Sequence, residues 1–263
     1  MKVTAKIIKY ELHDVFRSKW VILYTLFFLA TSDILFRFGG NSSSVVLSLM
    51  NIVLIFIPLV SIIFGTIYVY HSREFLELLL SQPLNRGNLY NGMYIGIALP
   101  LSAGFAAGVI IPSMYHGVAA TTDQIMFLTL ILSGLFLTFI FTALAFLIAT
   151  SCEDRVRGLG VSILLWLFFA LLYDGIILLG TFLFKAYPLE KPLIAITLLN
   201  PIDLARILLL LKLDISALMG YTGAVFQKFF GSQVGIIVST LTLIFWILMP
   251  FLIGLKKFLK KDF

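Results

Sequence analysis

The 263-residue chain is short of charge and almost without cysteine, and each shortage closes off a class of protein. Only 12% of its residues are charged, against 60% apolar. A soluble domain needs far more polar surface, and a mean hydropathy of +1.07 belongs to an integral membrane protein. The single cysteine, Cys152, excludes an intramolecular disulfide and any CxxC metal or redox motif. There is no GxxxxGK loop ending in Ser or Thr, so the chain does not itself bind ATP in the usual way. No HExxH and no cluster of His, Cys or carboxylates at metal-ligand spacing occurs, and the three histidines (His13, His71, His116) are scattered. Met114-Tyr115-His116 could touch a soft metal, but a lone Met/His pair usually fills an interface. The net charge of +6 does not indicate nucleic acid, because the basic residues gather at span ends and form no stripe with stacking aromatics.

What the chain does have is long apolar runs, several approaching the ~20 residues needed to cross a bilayer. Six spans are expected: 20–38, 45–70, 89–113, 125–150, 159–184 and 234–255. No cleavable leader is expected, since the first run is long and follows a charged, helix-like stretch. In that stretch Lys2, Lys6, Lys9, His13 and Arg17 share one helical face. Ala5, Ile8, Leu12, Val15 and Phe16 share its neighbour, as in an interfacial amphipathic helix or a docking surface for a cytoplasmic partner. Trp20 sits where an interfacial aromatic belongs.

Orientation follows from the 19 basic residues. Six spans put Lys2, Lys6, Lys9, Arg17, Lys19, Arg73, Arg86, Arg155, Arg157, Lys256, Lys257, Lys260 and Lys261 on one side, which is 13 of the 19. That leaves 6 for the other side: Arg37, Lys185, Lys191, Arg206, Lys212 and Lys228. The excess places both termini and the loops at 71–87 and 151–157 in the cytoplasm.

Four features stand out against this layout. Gly92, Gly96, Gly104 and Gly108 recur every four residues in the third span, with Pro100 in the missing place. Small residues at that spacing let another helix approach closely, in a seam that is either static or moving. Asp174, beside Tyr173, is a carboxylate deep in the fifth span, a costly placement that marks either function or a packing bond to a neighbouring hydroxyl. The 186–232 region is apolar enough to suggest a seventh span. Asn200, Asp203 and Arg206 interrupt it, however, and would cost several kcal/mol in lipid unless paired. It reads better as two helices lying outside the membrane or partly re-entrant in its outer face. Asn200 caps the first, with Pro201 at its first position and Asp203 near its dipole end; Asp214 caps the second, which stops at Gly231.

The fourth feature is the loop from His71 to Gly87. Ser72 can cap a short helix with Glu74 and Glu77 in its early turns, Phe75, Leu76, Leu78, Leu79 and Leu80 on an apolar side, and Pro83 as its stop. It is either a handle on which a partner pushes or an interfacial helix resting on lipid headgroups.

These pieces together resemble the permease subunits of ABC-2 type transporters, and within them the NosY-like branch. The resemblance rests on Glu74-Phe75-Leu76-Glu77-Leu78-Leu79-Leu80-Ser81-Gln82-Pro83-Leu84 with Arg86-Gly87, on Tyr173-Asp174, and on Asn200-Pro201-Ile202-Asp203-Leu204-Ala205-Arg206. With the span layout it covers nearly the whole chain, as one all-α transmembrane domain over residues 1–263. It implies a non-catalytic permease that dimerises in the inner membrane and receives an ATPase subunit, which holds ATP and magnesium, on its cytoplasmic side. Glu74, Phe75, Glu77, Leu78, Leu79, Gln82 and Arg86 would then couple to that ATPase. Asn200, Pro201, Asp203 and Arg206 would serve as an external lid or meet a periplasmic β-helical partner handling copper or sulfur for nitrous oxide reductase. ABC-2 permeases as a class also move lipids, polysaccharides, drugs and peptides, so the cargo stays open. A stand-alone proton-coupled carrier would need paired broken helices with ion ligands, and an enzyme built on Asp174 would need a catalytic companion at helical spacing; neither is visible.

Overall fold

The computed structural model describes residues 15, 17–39, 42–73, 76, 85–117, 124–184, 190–212 and 233–260, and it is all-α over them. In chain order the helices are α1 (Lys19–Phe38), α2 (Ser42–His71), α3 (Arg86–Tyr115), α4 (Gln124–Ser151), α5 (Arg155–Leu183), α6 (Glu190–Leu198), α7 (Pro201–Lys212) and α8 (Gln233–Lys260). Six of them are long and apolar enough to cross a bilayer: α1 to α5 and α8. The expected spans all form, most of them longer than anticipated. α8 continues past Leu255 to Lys260, with Lys257 and Lys260 in a last turn whose exposed carbonyls favour positive charge.

Capping residues set several of the boundaries. Asn85 begins α3 by accepting a hydrogen bond from the Gly87 amide at 2.9 Å, and Asp154 begins α5 by accepting one from the Val156 amide at 3.1 Å. The helix of α3 runs unbroken through Pro100 and Pro112. Within α5, residues Phe168–Leu172 form one π-helical turn.

Most of α4 is buried, and it packs against α2, α3, α5, α7 and α8. Helices in lipid gain little from hydrophobic exclusion, so such contacts depend on close approach and on polar bonds between helices. Close approach is visible where Gly65 of α2 faces Ala145 of α4: a Cβ at Gly65 would stand 2.9 Å from the alanine methyl. Polar bonds join neighbouring helices as well. The hydroxyls of Thr66 and Ser162 meet at 2.8 Å between α2 and α5, and the Trp166 indole donates to the Ile55 carbonyl at 3.1 Å. Tyr94 of α3 donates to the Phe139 carbonyl of α4 at 2.9 Å.

The glycine stripe of α3 is a packing seam against α1. A Cβ at Gly104 would lie 2.5 Å from the Thr25 hydroxyl, and one at Gly108 would lie 2.6 Å from the Phe28 Cβ and 3.0 Å from the Thr25 carbonyl. Gly92 and Gly96 are buried as well. The amphipathic stretch expected at the N-terminus and the helix expected between Asp214 and Gly231 lie outside the described residues, apart from Val15, Arg17 and the residues that lead into α1.

Candidate functional site

The two shorter helices that follow α5 create the main polar site. α6 and α7 are bent by 113° about a short corner at Leu199 and Asn200. The corner is made by Asn200, whose side-chain oxygen accepts from the Ile202 amide at 3.0 Å while Pro201 occupies the first helical position. α7 then inserts its apolar residues: Ile202, Leu204, Ala205, Ile207 and Leu209 are all buried, chiefly against α4. Asn200 bonds to the Phe169 carbonyl, about 20 Å along α5 from its first residue, which is well inside a bilayer-spanning helix.

The π turn explains why that carbonyl is available. The extra residue makes the Tyr173 amide donate to the Phe168 carbonyl, one place back from the regular helical partner, Phe169. Asn200 Nδ2 fills the vacated place at 2.9 Å and also donates to Asp203 Oδ2 at 2.8 Å. The Tyr173 hydroxyl donates to the Ile196 carbonyl at 2.6 Å, and the Trp246 indole of α8 donates to the Leu198 carbonyl at 3.3 Å. Both bonds go to carbonyls in the last turn of α6; the Ile196 carbonyl also accepts from the Leu199 amide at 2.9 Å.

Charge is balanced at the same corner. Arg206 Nη1 donates to Asp174 Oδ2 at 2.5 Å and lies 3.2 Å from Asp203 Oδ1, the latter without hydrogen-bond alignment. Asp203 is almost fully buried, whereas Asp174 and Arg206 are each about one third exposed. The expected cost of these groups in an apolar surrounding is thus offset by pairing. Tyr173, Asp174, Asn200, Pro201, Asp203 and Arg206, separated by some thirty positions in the chain, form one cluster. Asp174 takes an arginine as its partner where the sequence suggested a hydroxyl.

The second polar site is at the basic end of the bundle, around the base of the 71–87 loop. Arg73 donates to the carbonyls of Glu153 at 2.5 Å, Cys152 at 2.9 Å and Ala149 at 3.1 Å, and its guanidinium lies 4.3 Å over the Tyr70 ring. Tyr70 donates its hydroxyl to the Cys152 carbonyl at 3.0 Å, and Lys257 donates to the Ser151 hydroxyl at 2.9 Å. At the far end of the loop, Arg86 donates to the Leu259 carbonyl at 3.3 Å. Glu74, Phe75, Glu77, Leu78, Leu79 and Gln82 lie outside the described residues.

Three features of the structure carry only a weak signal in the sequence. α6 was not anticipated ahead of Asn200, although Thr197-Leu198-Leu199 precedes a clear cap. Arg73 entered only as a positive charge. Asp33 of α1 went unmarked; it pairs with Arg37 at 2.9 Å and with His116 Nε2 at 3.0 Å, which ties α1 to the end of α3. Four-residue spacing from Asp33 to Arg37 was the available signal. His116 is thereby engaged away from Met114 and Tyr115, which stay exposed, and no group of three or more metal-ligating side chains occurs among the described residues.

Comparison with known proteins agrees with this architecture. Residues 5–263 match the family described as ABC-2 family transporter protein. A protein of Pseudomonas aeruginosa named "Probable ABC transporter permease protein NosY" is 29% identical over 236 residues, covering 84% of this chain and 86% of the relative. A protein of the same name from Stutzerimonas stutzeri is 24% identical over 214 residues, covering 75% of this chain and 78% of the relative. With its six apolar helices and a match that runs almost end to end, the chain belongs to the ABC-2 family of transporter proteins, as a permease subunit.

Proposed function

We propose that this permease is NosY-like, that it forms a homodimer in the inner membrane with both termini cytoplasmic, and that a separate ATPase subunit drives it. On this reading ATP and magnesium are held by the ATPase, and the residues at 74–83 form a coupling helix that docks in its groove. The cargo is copper or sulfur in a form needed for maturation of nitrous oxide reductase, delivered to or received from a β-helical periplasmic partner. The observation that carries the reading is the meeting of Tyr173-Asp174 with Asn200-Pro201-Asp203-Arg206 in one cluster. Those were two separate pieces of the resemblance, and both curated relatives carry the NosY name. An ABC-2 exporter of lipid, drug or peptide would share the coupling loop and differ in cargo. A stand-alone carrier or enzyme built on Asp174 fits less well, because the carboxylate is already engaged by Arg206.

The test is co-purification. A tagged wild-type chain is expected to bring the ATPase with it, and a β-helical partner in the NosY case. Leu78→Asp or Leu79→Asp should weaken ATPase association about a hundredfold or more, because each would leave an unpaired charge in a desolvated contact. Glu74→Lys and Glu77→Lys should act more mildly if they lie at the rim. ATPase retained in full by both leucine variants, with normal membrane insertion, would remove the coupling role from this loop.

A further inference from the structure

We infer that Arg73 is the residue through which movement of the 74–84 segment reaches the turn joining α4 to α5. This rests on the reading of the 71–87 loop as the coupling loop, and it adds a route from that loop into the spans. Arg73 stands at the point where α2 gives way to the segment. The Ser72 amide bonds to the Tyr68 carbonyl at 2.9 Å and the Leu76 amide to the Ser72 carbonyl at 2.8 Å. Leu76 is fully buried. Ser72 and Leu76 are therefore each held by a backbone bond, and the Arg73 side chain reaches across to another element.

That element is a helix end with carbonyls to spare. The last carbonyls of a helix have no internal amide partners and carry the negative end of its dipole. Arg73 bonds to three carbonyls there, at positions 149, 152 and 153, with its planar fork fixed over the Tyr70 ring. A rigid, charged fork with several short bonds transmits displacement better than a single flexible ammonium would. The gripped turn leads two ways. It ends α4, the most enclosed helix, and one residue later Asp154 caps α5, which carries the π turn and Asp174. At the other boundary of the segment, Arg86 bonds to the Leu259 carbonyl at 3.3 Å, which ties that end to α8.

Arg73 could instead be only a cap that stabilises the end of α4. Lys257 separates the two roles, because it bonds to Ser151 at the same helix end yet belongs to α8, whereas Arg73 directly precedes the 74–84 segment in the chain. Cys152 provides the reporter, since it is the sole cysteine of the chain, is half-buried, and has its own carbonyl held by Arg73 and Tyr70.

The experiment uses the intact complex of permease and ATPase. Alkylation of Cys152 is followed by mass spectrometry of its peptide, with and without magnesium and a non-hydrolysable ATP analogue. In the wild-type complex nucleotide should change the alkylation rate several-fold. Arg73→Gln should abolish that change while the ATPase still co-purifies. Arg73→Lys, which keeps the charge but loses the fork, should give a reduced change, and Lys257→Ala should keep the full one. A full response in Arg73→Gln overturns the inference, as does a wild-type complex that ignores nucleotide or a Lys257→Ala complex that loses its response as completely. Loss of the ATPase from Arg73→Gln would make the residue a docking contact and overturn it too. If Arg73→Gln fails to insert, a full response in Arg73→Lys is the overturning result. Failure of the wild-type chain to bring down any ATPase is a different outcome, and it removes the coupling-loop reading together with this one.

Discussion

At the scale of single residues, the corner around Asn200 sets a strict order on what substitutions should cost. Arg206 faces both Asp174 and Asp203, so removing it leaves two carboxylates with no cation between them. Removing the charge of Asp174 leaves Arg206 with Asp203 still 3.2 Å away. Arg206→Leu should therefore destabilise the purified subunit, by less than the roughly 3–5 kcal/mol of a fully buried pair because Arg206 and Asp174 are part exposed, and Asp174→Asn should cost clearly less again. Thermal unfolding in detergent reads the order, and equal losses would show that the two carboxylates do not share the arginine. If Asp174 also serves transport, Asp174→Asn should impair activity in subunits that insert and assemble normally. Much of this corner was legible in the sequence, because Asn-Pro followed by Asp is a helix start and unpaired charges in apolar surroundings need partners. Which partner each would find was not legible. The π turn that frees the Phe169 carbonyl lies in Phe168-Phe169-Ala170-Leu171-Leu172, where neither glycine nor proline signals an irregularity.

At the scale of helices, the spans were readable because hydrophobic length dictates them, and the close contacts were readable only in part. The four-residue glycine spacing announced a seam on α3 without saying which helix would fill it. The structure gives that place to α1, and Gly108 is its least yielding point. A methyl there meets a Cβ and a backbone carbonyl, neither of which can swing aside as a flexible side-chain end would. Gly108→Ala should cost about 1–3 kcal/mol, the range typical of overpacking. Gly160→Ala in α5 is the matched control, since nothing lies within 4 Å of the added methyl. That substitution should be neutral or stabilising by up to about 1 kcal/mol, because alanine favours a helix over glycine. A parallel pair of melting curves decides it, and similar losses in both variants would place the seam elsewhere.

At the scale of the whole molecule, the bent pair of α6 and α7 and the direction of the chain have to agree. If α6 and α7 crossed the bilayer as a single broken span, α8 would run the other way and its lysines would leave the side on which Arg73, Arg86, Arg155 and Arg157 lie. The structure joins those groups directly: Lys257 reaches Ser151, Arg86 reaches Leu259, and Arg73 reaches the carbonyls from Ala149 to Glu153. One basic end therefore holds the last turns of α2, α4 and α8 and the first turns of α3 and α5. An even number of crossings is the arrangement consistent with that, and the 113° bend lets the pair enter and return on one face. The positive-inside preference then assigns the basic end to the cytoplasm, by 13 basic residues to 6. A reporter fused after Lys261 should be active only in its cytoplasmic form, and one inserted near Gly231 only in its external form. Should both report the same side, the region from 186 to 232 crosses the membrane, and the orientation drawn from the charges fails with it.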